Sequence, residues 1–337
     1  MRTVLLSLPS LLAVPRVYAR FHLNFGHISQ VFAFGDSYTF VQGTSGFPNF
    51  SYVGDLFNLH FTAETLLSDE IIPKNTSSGG SNWLEFLTGC FGGRPSDCAV
   101  QLWDFAFAGS DISSELLPLH HNYTIPLVDQ VRQFVDNNVL SIVPAKRDSE
   151  RMTVWWIGIN DTSDIIGRNT TSLEEFWVQE MEAYFTAIET AYITGLRGTY
   201  LFINVPPEER SPANVGNPEN AGRANDSIVS YNAALSSAVA KFSATHTDVH
   251  VSSFDAHAWF NAALNHATAL GFANTTGFCQ CKDPSFFWYN SGHPTERVHR
   301  LLASAIEAQL HAESVHWLAH DQPSMLDEGN RGEGLVS

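Results

Sequence analysis

Five short apolar stretches, separated by longer segments with helical periodicity, constrain the fold of this 337-residue chain more than any other feature. Predicted strands span residues 31–34, 102–106, 153–157, 199–204 and 249–252, and predicted helices span residues 82–87, 127–137, 172–194, 220–243, 255–270 and 295–311. None of the apolar stretches alternates cleanly with polar residues, which is typical of strands buried on both faces of a parallel sheet. The sequence therefore predicts an α/β fold, a three-layer α/β/α sandwich with about five parallel strands.

Residues 20–317 carry this alternation, and we expect them to form a single domain without internal repeats. Residues 39–81 are rich in Gly, Ser, Asn and Phe and predict a long loop directly after the first strand, where segments that shape a substrate site tend to lie. Residues 206–219 predict a second irregular segment. Residues 318–337 predict a polar, poorly ordered C-terminal tail.

Residues 1–19 have the features of an export signal peptide. Arg2 supplies a basic start, residues 4–14 are mostly apolar but too few to span a bilayer, and small residues precede a cleavage point after Ala19. The alternative interpretation is a frayed apolar N-terminus. The signal predicts a secreted, extracellular protein, and no later stretch is long and apolar enough to act as a membrane anchor.

Glycosylation and cysteine patterns agree with export. The Asn-x-Ser/Thr acceptor pattern occurs at Asn49, Asn75, Asn122, Asn169, Asn225 and Asn274. The four cysteines form two close pairs, and an exported chain with an even number normally forms disulfides. We expect a Cys90–Cys98 bond. A Cys279–Cys281 bond would close a very small ring, so cross-pairing between the two clusters stays open, and no four-ligand spacing indicates a zinc site.

The charge balance limits the partners. Lys and Arg number 18 against 35 Asp and Glu, a formal net charge of −17. Such an acidic surface disfavours nucleic acid and anionic membranes, because both are negatively charged. It fits a protein that acts on neutral or insoluble substrates, and we expect a monomer.

The first predicted strand runs directly into Gly35, Asp36 and Ser37. This places Ser37 at the carboxyl edge of the sheet, where open α/β folds bind ligands. A serine there is a candidate nucleophile if a base lies within hydrogen-bond distance. The alternative is that Asp36 or Ser37 merely caps the next helix.

Three later segments follow strands or precede a helix in a way that favours the first interpretation. Gly109 follows the second strand and can present a backbone N–H to a substrate. Asn160 follows the third strand, and its amide is a neutral donor suited to an oxyanion. His293 lies just before the last helix, which begins after Pro294, and can reach back over the sheet edge as a general base.

Together these motifs resemble the four sequence blocks of the GDSL, or SGNH, hydrolase superfamily: Gly35-Asp36-Ser37, Gly109, Gly158-x-Asn160 and His293-Pro294-Thr295. The resemblance spans roughly residues 30–312. The texture of "FGDSY", "GGSNWLEFLTG", "DFAFAGSDIS" and "FFWYNSGHPT" is similar to fungal secreted acetylesterases of carbohydrate esterase family 16.

The resemblance implies a flavodoxin-like fold and a set of roles. Ser37 would form an acyl-enzyme, and His293 would act as its base. The backbone N–H groups of Ser37 and Gly109, with the Asn160 side chain, would form the oxyanion hole. The family implies no metal and no cofactor. The implied substrate is an ester, either an acetylated oligosaccharide or another acyl ester.

One position departs from the family pattern. The family usually carries an aspartate three residues before the histidine, and this chain has Asn290 there. Asn290 can orient His293 through an oxygen, Asp283 can supply the missing carboxylate, or the chain is a weak or inactive hydrolase. The acceptor role of Asn290 is the first hypothesis, because Ser37, Gly109, Asn160 and His293 are all present.

The sequence as a whole predicts a secreted serine esterase acting on acetyl esters of plant-derived oligosaccharides. One alternative is a lipase or phospholipase acting on longer acyl chains, although no amphipathic basic stretch favours an interfacial enzyme. The other is a carbohydrate-binding protein on a catalytically weakened hydrolase scaffold. Phe47, Phe50 and Tyr52 are candidates to contact a sugar or acyl group or to pack within their loop. The His120-His121 pair is more typical of a solvated loop than of a metal site.

Overall fold

The computed structural model describes residues 21–53, 61–168 and 172–320. The predicted signal peptide, the acceptor pattern at Asn169 and the tail after residue 320 lie outside the described residues. The main sheet has five parallel strands in the order β2-β1-β3-β4-β5. Its strands are β1 (Gln30–Gly35), β2 (Gln101–Asp104), β3 (Arg151–Trp156), β4 (Thr199–Ile203) and β5 (His250–Phe254).

Helices flank this sheet on both sides, as expected for an α/β/α sandwich. They are α1 (Ala63–Ser68), α2 (Trp83–Thr88), α3 (Leu127–Asp136), α4 (Val139–Ile142), α5 (Ile159–Asp164), α6 (Leu173–Ile193), α7 (Pro218–Thr245), α8 (Ala256–Asn265) and α9 (Glu296–His320). Helices α3, α6 and α7 pack side by side as one layer, and α2 packs against α9 in the other. The prediction of a doubly wound fold with five parallel strands is confirmed.

The central strands are mostly apolar because both of their faces are covered. Every residue of β1 and β3 is buried. The Phe34 ring stacks on the Trp155 ring of the neighbouring strand, with 4.6 Å between centroids, and on Phe105 at 5.4 Å. Such stacked pairs add to the free energy gained from burial. Strand β1 therefore lies within the core, between β2 and β3.

Helix boundaries follow capping residues in the sequence. Asn82 caps α2, and Glu85 returns a hydrogen bond to the Asn82 backbone, which is a complete capping box. Ser172 caps α6, and Asn217 caps α7 with Pro218 in its first turn. Helix α9 extends to His320, beyond the predicted end at residue 311.

Several elements were not predicted. The segment predicted as a loop over residues 39–81 contains α1, and α5 follows β3 at once. A second, two-stranded parallel sheet joins β6 (Asn274–Phe278) and β7 (Phe286–Trp288) just before His293. The sequence of β6 mixes polar residues with glycine, so its periodicity carries no strand signal.

Both cysteine clusters pair internally. Cys90 bonds Cys98, as expected, and Cys279 bonds Cys281, so the cross-pairing that the sequence left open is not what the structure has. The first bond closes the turn between α2 and β2, and the second closes the turn after β6. Within the described residues, no helix has the length and apolar character that a membrane span requires.

Candidate active site

Ser37 and His293 meet at the carboxyl edge of the sheet, although 256 positions separate them in sequence. The Nε2 atom of His293 lies 2.7 Å from Oγ of Ser37. On the other side of the ring, Nδ1 lies 2.9 Å from Oδ1 of Asn290. The same Oδ1 accepts hydrogen bonds from the backbone N–H groups of Gly292 and His293, which fixes the orientation of the amide. Nδ1 therefore carries the imidazole hydrogen, and Nε2 accepts from the serine hydroxyl.

Residues 290–293, here called the histidine segment, form a tight loop around the Asn290 side chain. Asp283, the other acid considered from the sequence, is exposed and its carboxylate accepts from the backbone N–H of Ser285. The structure thus places the amide of Asn290, and not the Asp283 carboxylate, against the imidazole.

Gly35 and Asp36 explain the tight turn before Ser37. A Cβ at Gly35 would lie 2.2 Å from the carbonyl oxygen of Trp156 in the adjacent strand, so only glycine fits there. Asp36 is fully buried, and its Oδ1 accepts from the backbone N–H of Tyr38. Burial raises the pKa of Asp36 to about 8. The aspartate of this motif is a structural residue beneath the serine.

Gly109 and Asn160 lie at the same sheet edge, beyond the ends of β2 and β3. Gly109 has φ +81°, a left-handed conformation that favours glycine. Asn160 lies in the first turn of α5, and its Nδ2 donates to the carbonyl of Ser110 at 2.8 Å. An amide nitrogen carries two hydrogens, so the second is left for a ligand. Oδ1 of Asp161 accepts from the backbone N–H of Ile112, which ties α5 to the segment containing Gly109.

Desolvation sets the protonation of His293. It lowers the pKa of this imidazole to about 4, and the neutral Asn290 beside it supplies no charge to oppose that shift. His293 is therefore neutral, and able to accept a proton, at any pH well above 4. An unprotonated Nε2 is what a general base beside a serine requires, although a pKa of about 4 makes this imidazole a weaker base than one whose pKa lies near neutral pH.

The family model for GDSL-like lipases and acylhydrolases matches residues 31–306, which contain every motif of this site. The chain belongs to the GDSL-like lipase/acylhydrolase family. It is a carboxylic ester hydrolase. The resemblance that the four motifs indicated is confirmed.

Similar proteins are also esterases or lipases by name. An acetylesterase from Thermothelomyces thermophilus is 30% identical over 279 residues, which cover 81% of this chain and 85% of that protein. Among solved structures, an acetyl xylan esterase aligns with a TM-score of 0.42 and 12% identity, covering 83% of this chain and 98% of the other. An extracellular lipase from Streptomyces rimosus aligns with a TM-score of 0.38 and 13% identity, covering 82% and 99%. Structural likenesses this remote carry no weight for the substrate.

Two residues of this GDSL-family esterase that sequence reasoning missed hold the histidine segment. The hydroxyl oxygen of Tyr38 lies 2.6 Å from Oε1 of Glu208 and 2.6 Å from the carbonyl oxygen of Gly292. Tyr38 follows Ser37 directly, so the "FGDSY" motif contained a signal. Glu208 lies in the irregular segment 206–219, whose aperiodic sequence pointed to no role.

Three described residues of this esterase could hold a metal ion together: donor atoms of Asp111, His120 and Asp164 lie within 4.8 Å of one another. Nε2 of His120 already lies 2.6 Å from Oδ2 of Asp164, and this contact raises the pKa of His120. An ion pair accounts for that geometry without a metal. His121 takes no part, because its ring stacks on Tyr123 instead.

The aromatic residues near the site divide into packed and half-buried groups. Tyr52, Phe287 and Trp288 are fully buried and belong to the core. Phe47 and Phe50 are half-buried and pack on Tyr123, with ring centroids 4.2 and 5.3 Å apart. The carbonyl of Phe50 also accepts from the backbone N–H of Ala108, next to Gly109. This half-buried cluster therefore borders the segment that contains Gly109.

Proposed function

We propose that this chain is a secreted serine esterase that removes acetyl groups from plant-derived oligosaccharides, with Ser37 as nucleophile and His293 as base. The observation that carries the proposal is the 2.7 Å contact between Ser37 Oγ and a neutral His293 Nε2 at the carboxyl edge of the sheet. A serine hydroxyl is a weak nucleophile by itself, and an imidazole in this position removes its proton as it attacks.

The first half of the reaction acylates the serine. Ser37 Oγ attacks the ester carbonyl carbon while its proton moves to Nε2 of His293. The carbonyl oxygen becomes an oxyanion that accepts from the backbone N–H groups of Ser37 and Gly109 and from the Asn160 amide. The bond from carbon to the sugar oxygen then breaks, and the sugar oxygen takes the proton from Nε2.

The second half releases the acid. Water attacks the acyl carbon and gives one proton to Nε2, and the oxyanion forms again on the same donors. The bond to Ser37 then breaks, and Oγ recovers the proton from Nε2 as the carboxylic acid leaves. Asn290 accepts from Nδ1 throughout, so the imidazole stays aligned, but it offers no negative charge to the imidazolium.

Support for the acetyl substrate and for secretion comes from outside the reacting atoms. The curated relative at 30% identity is named an acetylesterase. Two disulfides and an export-type N-terminal sequence fit an oxidising extracellular setting. The net charge of −17 fits a neutral carbohydrate better than an anionic lipid surface.

The test is hydrolysis of para-nitrophenyl acetate, butyrate, octanoate and palmitate by wild type and Ser37→Ala. The matched control is Ser304→Ala, an exposed serine on α9. We expect acetate to be cleaved fastest, Ser304→Ala to match wild type, and Ser37→Ala to lose at least about 1,000-fold in kcat. An organophosphonate serine probe should label Ser37 in wild type.

Each alternative has its own outcome. Faster octanoate or palmitate turnover would replace the acetylesterase with a lipase. Wild-type turnover no better than that of Ser37→Ala on every ester, with no labelling at Ser37, would remove the serine mechanism and favour a carbohydrate-binding role.

A further inference from the structure

The Tyr38 hydroxyl lies between two oxygen atoms, and each of the two contacts needs a hydrogen. Its oxygen is 2.6 Å from Glu208 Oε1 and 2.6 Å from the Gly292 carbonyl oxygen. A phenol carries one hydrogen and a backbone carbonyl carries none. Contacts this short each require a hydrogen between the oxygens, because lone pairs otherwise face one another. The second hydrogen can come only from the Glu208 carboxyl group.

We propose that Glu208 is a neutral carboxylic acid in the working enzyme and a positioning residue for the base: it donates to Tyr38, and Tyr38 donates to the Gly292 carbonyl. Gly292 is bonded to His293, so this chain of two hydrogen bonds ends one residue from the imidazole. The inference rests on the Ser37–His293 site proposed above. It adds a residue outside the family motifs to that site.

The electrostatic surroundings of Glu208 favour the neutral form. Desolvation is the largest cause that raises the pKa of Glu208, and the nearby carboxylate of Glu209 and the buried Asp36 add to it. Hydrogen bonds with the Tyr38 and Ser211 side chains lower it, and the balance leaves the pKa at about 8. Arg210, in the same short helix (Glu208–Arg210), donates to Asn261 rather than to Glu208. Across the Tyr38 ring lie the rings of His293 and His299, and desolvation holds the pKa of each imidazole well below its usual range. No positive charge among these groups opposes protonation of Glu208.

The irregular segment 206–219 holds the histidine segment at a second point. The backbone N–H of Ala213 donates to the carbonyl of Ser291 at 2.9 Å. Segment 206–219 therefore acts on two neighbouring carbonyls of the histidine segment. Ala213 binds the Ser291 carbonyl directly, and Glu208 acts on the Gly292 carbonyl through Tyr38. One contact is a backbone bond and does not titrate, whereas the other depends on a carboxyl proton.

Loss of that proton has a definite direction. An ionised Glu208 is a stronger acceptor than a peptide carbonyl, so it takes the Tyr38 hydrogen and leaves Gly292 without its donor. The group is neutral below a pH of about 8 and ionised above it. We therefore expect kcat to fall as the pH rises through about 8, by roughly 3- to 10-fold for one hydrogen bond.

The experiment compares wild type, Glu208→Gln, Tyr38→Phe and Glu209→Gln in kcat–pH profiles from pH 5 to 10, with Ser37→Ala as the blank. An amide at position 208 donates to Tyr38 at every pH, so Glu208→Gln should keep most of kcat at pH 6 and lose the alkaline fall. Tyr38→Phe should have reduced kcat at every pH and also lack the Glu208-dependent fall. Glu209→Gln removes a like charge and should move the fall to lower pH without abolishing it. Asp36 titrates in all four proteins, so differences between profiles report Glu208.

Infrared spectroscopy tests the protonation directly and needs no catalysis. The difference spectrum between wild type and Glu208→Gln at pH 6 should contain the carbonyl band of one protonated carboxylic acid, because other buried carboxyl groups such as Asp36 are common to both proteins. A difference spectrum without this band, or an alkaline fall in Glu208→Gln identical to wild type, would overturn the inference. An inactive wild type that retains the Glu208 band would instead count against the proposed esterase function alone.

Discussion

The two halves of the candidate site are built in different ways. The serine half (Ser37, Gly109 and Asn160) follows the ends of three neighbouring, fully buried strands. The histidine half (Asn290 and His293) lies in an irregular loop that follows the small β6–β7 sheet. Its position depends on hydrogen bonds from Tyr38, from the backbone of Ala213 and from Asn290 itself.

The difference shows which part of the site can adjust. Residues at strand ends inherit the rigidity of the sheet, because moving them would disturb stacked core rings such as Phe34 and Trp155. The histidine segment is held by polar contacts, and one of them involves Tyr38 together with the titratable Glu208. We therefore expect changes in the serine half to remove activity at every pH, and changes in the histidine half to alter its pH dependence.

The largest effect expected beyond Ser37→Ala is from Asn160→Ala in the serine half. It removes one of the proposed oxyanion donors, which should lower kcat by about 100- to 1,000-fold at all pH values with little change in KM. Steady-state kinetics across pH measures this, with the exposed Asn265→Ala on α8 as the control. A loss confined to one pH range would break the distinction between the halves.

A smaller effect, on stability alone, is expected from the disulfide that precedes β2, one of the strands that carry the serine half. Cys90 and Cys98 are 8 positions apart, and opening a loop of this length should lower the free energy of unfolding by about 2.5 kcal/mol in the chain-entropy model. The variant that opens this loop is Cys90→Ser/Cys98→Ser. The matched variant, Cys279→Ser/Cys281→Ser, opens a loop of only 2 positions and should lower the free energy of unfolding by less. Denaturant unfolding of the two double variants gives the ranking. The reverse order would mean that the histidine half contributes more to stability than its polar contacts suggest.

The smallest effect, and the most specific to the histidine half, is expected from Asn290→Asp. A carboxylate 2.9 Å from Nδ1 favours the imidazolium, so the pKa of His293 should rise from about 4 by about 1–3 units. A rise of about two units would leave the base mostly protonated at pH 5 and lower activity there by about 10-fold. The acid limb of kcat/KM against pH measures the shift. An unmoved limb would show that Asn290 does not face the imidazole in solution.

A gain in turnover at pH 7 in the same variant would carry separate information. It would show that the missing negative charge limits the wild-type enzyme at neutral pH. In that case Asn290 lowers turnover at neutral pH but keeps His293 unprotonated at acidic pH.

The same division explains what the sequence could predict. Strand ends of a parallel sheet share one edge, so apolar runs that end in Gly35, Gly109 and Gly158 were enough to place the serine half. The motif around His293 indicated this residue as the candidate base, but the hydrogen bonds that hold its loop in place could not be predicted. Contacts such as Tyr38 with Glu208 join positions 170 apart and leave no periodicity in the chain.

The minor errors of prediction have similar causes. The β6–β7 sheet was missed because Asn274–Phe278 is short, polar and half-exposed. The end of α9 was placed too early because residues 311–315, which continue the helix, are exposed or half-buried and carry little apolar periodicity. The pairing of Cys279 with Cys281 depends on the turn after β6, which the sequence did not indicate.

The distance in sequence between Ser37 and His293 has a consequence for the chain during its synthesis. A ribosome adding about 5–20 residues per second takes on the order of 15–50 s to travel the 256 positions between them. During that interval Ser37, the proposed nucleophile, has no His293 beside it, and Glu208 and Ala213, once made, have no histidine segment to contact. On the proposed mechanism we therefore expect the nascent chain to lack esterase activity until its last segments have been made and have folded.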